Sequence, residues 1–354
     1  MQITRVEVTP IEIKLRQTVR TASLPPIDSI HAIFVRFITR EGSDAWGCTV
    51  AHPELTGSEP SAVLEACQTC ADLVPDLHPT NLEYSLAEIA AHTEQAPPAL
   101  VAFDMAFHDL LGKAAGLPLY KLLGGYRLRI PTSVTIPIAP IDETVELALK
   151  RAQEGFKILK LKGGLQPEED VQKVKAVHRA LPKHKLRLDP DGGYDIRSSL
   201  DVARALRGKI EMLEQPSPAD DLDGLSEITN NSSVPIIADQ SVSGLDSALK
   251  VAADRITNGY TVKVVCCGGI RPASQLDTIA RAANLKTMVS CIIEPQLLIA
   301  AGLGVALSSP NVQYCDLDGY LDLVNDPSKA GFRLDAGELI ASEEPGLGCQ
   351  VNFL

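Results

Sequence analysis

Eight short apolar segments recur through residues 133–316, and helical patterns with one apolar face fill most of the gaps between them. Successive segments are about 25 residues apart, enough for one strand, one helix and two connections. Strands that alternate with helices in this way predict a parallel sheet, and eight of them predict a (β/α)8 barrel of the TIM type. The predicted strands are 133–138, 158–162, 186–191, 212–215, 236–239, 261–265, 287–291 and 312–316, and the predicted helices are 142–152, 167–180, 196–206, 245–254 and 272–283.

The N-terminal part of the chain follows a different pattern. Alternating apolar and polar residues over 2–17 and 31–40 predict strands of a small antiparallel sheet. Two segments rich in turn-forming residues, 21–29 and 46–59, are predicted to be loops. Helical patterns follow near 60–74, 80–92 and 97–115.

These changes of pattern divide the chain into three predicted parts. Residues 1–125 form an α+β capping domain whose loops cover the active site. Residues 126–325 form the barrel that carries the catalytic site, and residues 326–354 form a C-terminal segment that returns to the cap.

Composition excludes several kinds of partner. A net charge of -12 argues against a nucleic-acid surface, which needs clustered Lys and Arg. No stretch is apolar enough for a membrane span, and the alternating N-terminus does not resemble a signal peptide. Cys67 and Cys70 form a CxxC pattern without a second pair at zinc spacing, which is typical of reduced core residues. We therefore expect a cytoplasmic enzyme with a small-molecule substrate.

Three acidic residues stand at the ends of neighbouring predicted strands. Asp189 and Glu214 are 25 residues apart, and Asp239 follows after another 25 residues. Because the carboxyl ends of barrel strands meet on one face, these three carboxylates should lie together. Like charges at that separation repel unless a cation joins them, and oxygen ligands alone suit Mg²⁺. The sequence thus predicts a Mg²⁺ site.

Lysines are embedded in two of the apolar segments. Lys160 and Lys162 have the same parity on the second strand, so both should point into the barrel. Lys263 lies on the sixth strand, across the barrel from the second. Buried lysines need a reason, and a nearby cation could depress their pKa enough for one to act as a base.

These residues carry a family resemblance that runs nearly end to end. The chain resembles the muconate-lactonizing subgroup of the enolase superfamily. The resemblance implies that Asp189, Glu214 and Asp239 bind Mg²⁺, that Lys162 and Lys263 are the opposed acid and base, and that Lys160 supports the substrate carboxylate. The mandelate-racemase branch needs a late base histidine, and the last histidine here is His184. The matching motifs are ALVAFDMAFHDLLGKAAGLPLYKLLGG, LKLKGG, RLDPDGGY, LEQP, IIADQS, VKVVCCGGI and IIEP.

The segment DLDG narrows the resemblance to dipeptide epimerases. There, two aspartates bind the substrate's ammonium group, a role that falls to Asp316 and Asp318. Glu294, in the IIEP motif, is implied as a further substrate-binding residue. L-Ala-D/L-Glu epimerases carry an arginine in the first loop, and a gapless match places Leu24 there. Epimerase chemistry is therefore better supported than recognition of a Glu side chain.

Two positions beside the predicted ligands depart from the family pattern. Asp191 stands where the family usually has Asn, and Gln240 stands where it usually has Glu. Neither change removes a metal ligand, but both lie where they can alter metal affinity and lysine pKa.

The expected activity is that of an isomerase, a Mg²⁺-dependent dipeptide epimerase that moves the α proton of the C-terminal residue through an enediolate. The alternatives are a lyase or cycloisomerase of the same subgroup (o-succinylbenzoate synthase, N-succinylamino acid racemase or muconate cycloisomerase) and a non-catalytic barrel that binds a small acid. Asp316 and Asp318 discriminate, because the lyase and cycloisomerase substrates lack a free ammonium group. The resemblance also implies a homo-oligomer.

Overall fold

The structure is a computed structural model that describes residues 1–353. Within these residues the strands form four sheets, of which the largest has eight strands. The strands are β1 (Ile3–Val19), β2 (Ile27–Thr39), β3 (Asp44–Ala51), β4 (Arg129–Pro131), β5 (Val134–Ile136), β6 (Ile158–Lys162), β7 (Lys185–Asp189), β8 (Met212–Glu214), β9 (Ile236–Ala238), β10 (Gly259–Lys263), β11 (Lys286–Ser290), β12 (Val312–Asp316), β13 (Leu323–Val324), β14 (Ser328–Lys329), β15 (Phe332–Asp335), β16 (Glu338–Ala341) and β17 (Gln350–Val351).

Helices connect the barrel strands and cover the N-terminal sheet. Across the described chain, no helix is both long and apolar enough to cross a membrane. The helices are α1 (Pro53–Thr56), α2 (Pro60–Leu73), α3 (Leu82–Ala91), α4 (Pro98–Ala115), α5 (Leu119–Leu122), α6 (Ile141–Gln153), α7 (Pro167–Ala180), α8 (Ile196–Ala205), α9 (Leu222–Asn231), α10 (Leu245–Ala253), α11 (Val264–Cys267), α12 (Ile270–Ala282) and α13 (Gln296–Ser308), with a 3₁₀ turn at Val74–Asp76.

Strands β5 to β12 form the eight-stranded parallel sheet, in which each strand is hydrogen-bonded to the next in chain order. Its two edges meet where the N–H of Ser133 donates to the carbonyl of Cys315 at 3.0 Å. Beside this bond, the N–H of Leu317 donates to the hydroxyl of Thr132 at 2.9 Å. The predicted barrel, with an α+β domain before it, is confirmed.

The register of the barrel strands brings charged residues to one rim. Lys162 at the end of β6 is paired with Asp189 at the end of β7. On the other side, Lys263 at the end of β10 is paired with Ser290, which is paired in turn with Asp316. These pairings place the predicted catalytic residues at the carboxyl ends of the strands, where TIM-barrel active sites lie.

The N-terminal sheet packs tightly on α4. A Cβ at Gly47 of β3 would lie 1.9 Å from the carbonyl oxygen of Ala102, so this close approach requires glycine. Asp109 of α4 is buried and accepts hydrogen bonds from the N–H groups of Trp46 at 2.8 Å and Leu347 at 2.7 Å. One carboxylate thereby joins the N-terminal sheet to the C-terminal residues.

Further contacts fix the N-terminal domain to the barrel. Asp104 of α4 is fully buried and accepts a hydrogen bond from the N–H of Ile270 at 2.6 Å, at the start of α12. Strand β13, which follows the last barrel strand, pairs with β1 of the N-terminal sheet through Val324 and Lys14. The domain above the barrel rim is therefore held in place by buried polar contacts and by strand pairing.

The predicted loop over residues 46–59 is wrong, because it contains most of β3 and all of α1. Strand β3 is buried on both faces, with α4 and α13 packed against it, so it lacks the alternation by which a half-exposed strand is recognised. The predicted loop over 21–29 also ends early, because β2 begins at Ile27.

Two helices were missed in the barrel. Helix α13 is buried and apolar on nearly every side, so its sequence has no amphipathic pattern. The short α9 begins at the N-cap Asp221, whose side chain accepts from the N–H of Gly224 at 2.9 Å. The sixth predicted strand, 261–265, was displaced, because β10 ends at Lys263 and the next residues form α11.

Candidate active site

A cavity of about 650 Å³ lies between the carboxyl rim of the barrel and the N-terminal domain. Its barrel side includes Lys160, Lys162 and Lys263. Its other side is formed by the connection between β1 and β2, with Leu24, and by α1, with Leu55. This volume is typical of sites that enclose a small molecule.

Lys162 and Lys263 face this cavity from opposite sides of the barrel. They end β6 and β10, which are four strands apart in a sheet of eight. The Lys162 ammonium lies 2.8 Å from Asp189, and the Lys263 ammonium lies 2.7 Å from Asp239. Their side chains are 17% and 16% exposed, so both remain accessible to a bound molecule.

Lys160 precedes Lys162 by two residues on β6 and is almost fully buried. Its Nζ is 2.9 Å from Oδ2 of Asp189, 2.9 Å from Oε2 of Glu214 and 2.8 Å from Oδ2 of Asp316. Within residues 1–353 no three His, Cys, Asp or Glu side chains converge as a ready-made metal site. Asp189 and Glu214 instead share Lys160, while Asp239 is held by Lys263.

Glu214 is the least satisfied of the predicted ligands. It is fully buried, and neither of its carboxylate oxygens accepts a hydrogen bond from the described residues. The 2.9 Å approach of Lys160 is an ion pair whose angles are not those of a hydrogen bond. Burial, with the nearby charge of Asp189, raises the pKa of Glu214 to about 8. The ionised form of Glu214 would therefore be stabilised by additional positive charge close to its two oxygens.

These observations fit a hard divalent cation. Asp189 ends β7, Glu214 ends β8 and Asp239 directly follows β9, so three neighbouring strands supply only oxygen donors. Mg²⁺ prefers such ligands, and the two oxygens of Glu214 are open to it.

The two opposed lysines hold their protons tightly in this arrangement. Burial alone would lower the pKa of Lys162, but Asp189 and Asp191 outweigh burial and raise it. The pKa of Lys263 is likewise raised by Asp239 against the effect of burial. The depressed lysine pKa expected from the sequence is therefore not produced by the protein residues alone.

Asp316 and Asp318 both line the cavity but differ in their surroundings. Asp316 is buried, contacts Lys160 at 2.8 Å, and accepts hydrogen bonds from the hydroxyls of Ser133 and Ser290. Burial alone would raise the pKa of Asp316, but Lys160 outweighs it and holds it at about 2. Asp318 accepts from the N–H of Thr135 at 2.6 Å, and burial with the nearby Asp316 raises its pKa to about 6. Asp318 is the carboxylate with capacity left for a cationic ligand.

The two residues that depart from the family pattern contact each other. Asp191 contacts Nζ of Lys162 through both carboxylate oxygens, at 2.8 and 2.9 Å. Gln240 donates to Oδ1 of Asp191 at 3.3 Å. Burial and the neighbouring Asp189 raise the pKa of Asp191, although Lys162 acts in the opposite direction.

The remaining predicted substrate residues occupy different places. Leu24 lines the cavity from the N-terminal side. Glu294 is only 2% exposed and lies outside the cavity lining, where its carboxylate accepts from the N–H of Ile292 at 3.4 Å. Burial raises the pKa of Glu294 well above its usual range. The cavity is instead lined by its neighbours Cys291, Ile292 and Ile293.

Ser133 and Arg187 support the site but were not predicted. Arg187 is 1% exposed inside the barrel, and its guanidinium donates to the hydroxyl of Ser133 at 3.0 Å. Ser133 in turn donates to Asp316. The sequence could have indicated Arg187 by its position in the strand. It precedes Asp189 by two residues, so both side chains must point to the same side of β7.

Comparison with known proteins identifies the family. The model of the mandelate racemase / muconate lactonizing enzyme N-terminal domain matches residues 4–124, and the enolase C-terminal domain-like model matches residues 143–353. The chain belongs to this family of the enolase superfamily.

Several relatives are similar over their whole length. The L-Lys-D/L-Arg epimerase of Methylococcus capsulatus is 34% identical, covering 98% of this chain and 99% of the relative. The dipeptide epimerase of Enterococcus faecalis, solved with Mg and the dipeptide L-Leu-L-Tyr, is 31% identical with a TM-score of 0.95, covering 99% of this chain and 100% of that one. The L-Ala-D/L-Glu epimerase of Bacillus subtilis, solved as a substrate-liganded complex, is 28% identical with a TM-score of 0.95 and 100% coverage of both chains.

Proposed function

We propose that this chain is a Mg²⁺-dependent dipeptide epimerase that inverts the α carbon of the C-terminal residue of its substrate. The observation that carries the proposal is the pair of lysines facing one cavity from opposite strands, with Asp318 at the same rim. The epimerases among its relatives act on substrates of this class.

Substrate orientation begins at the acidic end of the cavity. The ammonium group of the dipeptide pairs with Asp318 and Asp316, as a cation between two carboxylates of one rim. We expect Asp318 to make the stronger contact, because Asp316 already accepts from Lys160, Ser133 and Ser290.

Proton transfer then uses the two opposed lysines. Either Lys162 or Lys263, in its neutral form, takes the α proton from one face, and the C–H electron pair moves into the enediolate of the substrate. The other lysine, as an ammonium, donates a proton to the opposite face, and the configuration inverts. Lys160 lines the same cavity beside Asp189 and Glu214, and its positive charge can stabilise the negative charge that develops on the substrate.

The metal would be held by carboxylates at the ends of three neighbouring strands. Asp189, Glu214 and Asp239 are the residues that would hold Mg²⁺, and the ion would supply positive charge for the substrate carboxylate and offset the acids beside the lysines. The N-terminal domain above the rim would limit the access of water to a substrate bound in this site.

Side-chain preference follows from the opposite wall. Besides the charged Arg20 and Glu54, this wall of the N-terminal domain carries Leu24, Ile27 and Leu55, together with Val19. These apolar groups favour a dipeptide with an apolar side chain over one with a Glu side chain.

The lyase and cycloisomerase alternatives are less well supported. Their substrates lack a free ammonium group, so Asp318 would face the cavity without a partner of opposite charge. Burial raises the pKa of Asp318 to about 6, so its ionised form is disfavoured by its surroundings. A cationic ligand bound there would stabilise that ionised form.

Deuterium incorporation from D₂O, measured by mass spectrometry over a library of L-Xaa-L-Xaa dipeptides with Mg²⁺, tests the proposal. We expect exchange at the C-terminal residue, best with apolar side chains, and its loss with EDTA. Absence of exchange with every dipeptide would overturn the epimerase assignment and move the weight to a lyase or cycloisomerase.

We further propose a cytoplasmic homo-oligomer. All eight cysteines are free, as is usual in a reducing compartment. Tyr126 and Leu128, two residues apart, are large hydrophobic residues that are each more than half exposed, which suits burial between subunits. Light scattering coupled to size-exclusion chromatography measures the state, and a monomeric mass would contradict the proposal.

A further inference from the structure

Asp191 lies in a constrained turn directly after β7. Its φ is 50°, in the left-handed region, and its N–H donates to Oδ1 of Asp189 at 3.1 Å. The next N–H, of Gly192, donates to the carbonyl of Gln215 at 2.8 Å. The backbone on both sides of the carboxylate is thereby fixed to the barrel, and Asp is among the residues that tolerate this conformation.

The side chain is as well fixed as the backbone. Asp191 is 8% exposed, and both carboxylate oxygens contact Nζ of Lys162. Gln240 reaches across from the turn after β9 and donates to Oδ1. The carboxylate therefore holds the ammonium group with two oxygens and is itself held from the other side by an amide.

Lys263 has no equivalent support. Within residues 1–353 its ammonium makes a single ion pair, with Asp239, a predicted metal ligand. Lys162 contacts the corresponding predicted ligand, Asp189, and has Asp191 in addition. The two opposed lysines are thus chemically alike but differently restrained.

We propose that Asp191, held by Gln240, is a positioning residue that aligns Lys162, and only Lys162, with its face of the substrate. This inference rests on the proposed epimerase function. It predicts that the two halves of the reaction depend on different residues: proton transfer by Lys162 needs the Asp191–Gln240 pair, whereas transfer by Lys263 does not.

The inference is tested by adding Asp191→Asn to each single-lysine variant. Lys263→Ala leaves only Lys162, and Lys162→Ala leaves only Lys263, so each exchanges the α hydrogen of one epimer in D₂O without inversion. Because Asn also tolerates the left-handed turn, Asp191→Asn removes the charge but keeps the backbone. We expect kcat for exchange to fall on the order of tenfold to a hundredfold in the Lys263→Ala background, with a far smaller loss in the Lys162→Ala background.

Charge exchange within the pair provides the rescue. Gln240→Glu together with Asp191→Asn returns one carboxylate and one amide to the same contact, so it should restore part of the exchange by Lys162. Gln240→Glu alone places two carboxylates together and should lower that exchange. Asp322→Asn, which changes another cavity-lining carboxylate, is the matched control and should not discriminate between the two backgrounds.

Other outcomes have defined meanings. An equal loss in both backgrounds would show that Asp191 acts on the whole site, for example through the metal, and would overturn the inference. Should Asp191→Asn fail to fold, as judged by circular dichroism, Gln240→Leu gives the same comparison with a smaller expected loss. If the wild-type chain exchanges no dipeptide hydrogen, the proposed function fails and this inference falls with it. If the wild type exchanges but Asp191→Asn does not discriminate, only this inference fails.

Discussion

The two walls of the cavity are built in different ways. The barrel wall carries charged residues at strand ends, most of which form ion pairs with one another, as in the contacts of Lys160 with Asp189, Glu214 and Asp316. The N-terminal wall is formed largely by loop and short-helix residues such as Leu24 and Leu55. The barrel wall therefore determines the type of reaction. Substitutions in the N-terminal wall can change the substrate preference without disturbing that reaction.

The largest effect should come from the barrel wall. Replacing either Lys162 or Lys263 by Ala removes the acid or the base, so we expect epimerisation to fall by about a hundredfold to ten-thousandfold. Polarimetry or chiral chromatography measures this loss. Lys250→Ala is the control, because Lys250 is exposed on α10 and, among residues 1–353, pairs only with its helix neighbour Asp254 at 2.9 Å. Full turnover in either active-site variant would break the opposed-lysine mechanism.

The stabilisation of the protein by Mg²⁺ should likewise depend on residues of the barrel wall. Glu214 has a raised pKa of about 8, so metal-free folding becomes less favourable as pH rises above the usual carboxyl range and through about 8. Mg²⁺ that binds the folded chain at a hundred times its Kd would add about 2.7 kcal/mol of stability. We expect a higher Tm with Mg²⁺ than with EDTA, and a difference that grows with pH.

Glu214→Gln sharpens the metal prediction. It replaces a buried acid, whose pKa of about 8 makes its ionisation costly, by a neutral amide, so above that pH the metal-free variant should melt no lower than the wild type. Its response to Mg²⁺ should be largely lost. An unchanged Mg²⁺ response in differential scanning fluorimetry would show that Glu214 is not a metal ligand.

The sequence predicted the barrel wall well because a parallel barrel imposes its own register. Once eight strands are placed, the end of each strand must lie on one rim, so Lys162, Asp189 and Lys263 could be brought together without coordinates. Pairings within the rim could not be predicted. The bond of Lys160 to Asp316, for example, joins side chains 156 residues apart through a choice of rotamers.

The N-terminal domain, which supplies the other wall, was harder to predict, since no repeating geometry fixes it. The path of β3 was missed because burial on both faces removes the alternation. On the barrel side, Glu294 between β11 and α13 was placed in the site by motif alone, but the chain turns its side chain into the protein beneath the cavity lining. Sequence motifs identify positions in a fold, whereas side-chain direction depends on packing that only the structure shows.

The next largest effect on activity should come from Asp318, which orients the substrate. Asp318→Asn should raise KM for a dipeptide by about tenfold to a hundredfold, because one charge-assisted hydrogen bond is worth roughly 1.5–3 kcal/mol. The effect should depend on pH in the wild type. Since the pKa of Asp318 is about 6, its carboxylate is charged above that pH, and KM should rise as pH falls below it.

The Asp318 variant itself provides the control for this pH dependence. Asn cannot titrate, so the low-pH increase in KM should disappear in Asp318→Asn. If the increase persists unchanged, another group is responsible, and the ammonium contact must be reassigned to Asp316 or elsewhere.

The smallest effect should come from the N-terminal wall. Leu24→Arg places a cation in an apolar part of the cavity lining, so activity should shift from apolar dipeptides toward those with a Glu side chain. We expect a change in relative kcat/KM of about tenfold, carried mainly by KM, because the lysines are untouched. Leu249→Arg, at an exposed position on α10, is the matched control and should leave the preference unchanged. A large fall in kcat with every substrate would show that the N-terminal wall also governs proton transfer, and the separation between chemistry and specificity would not hold.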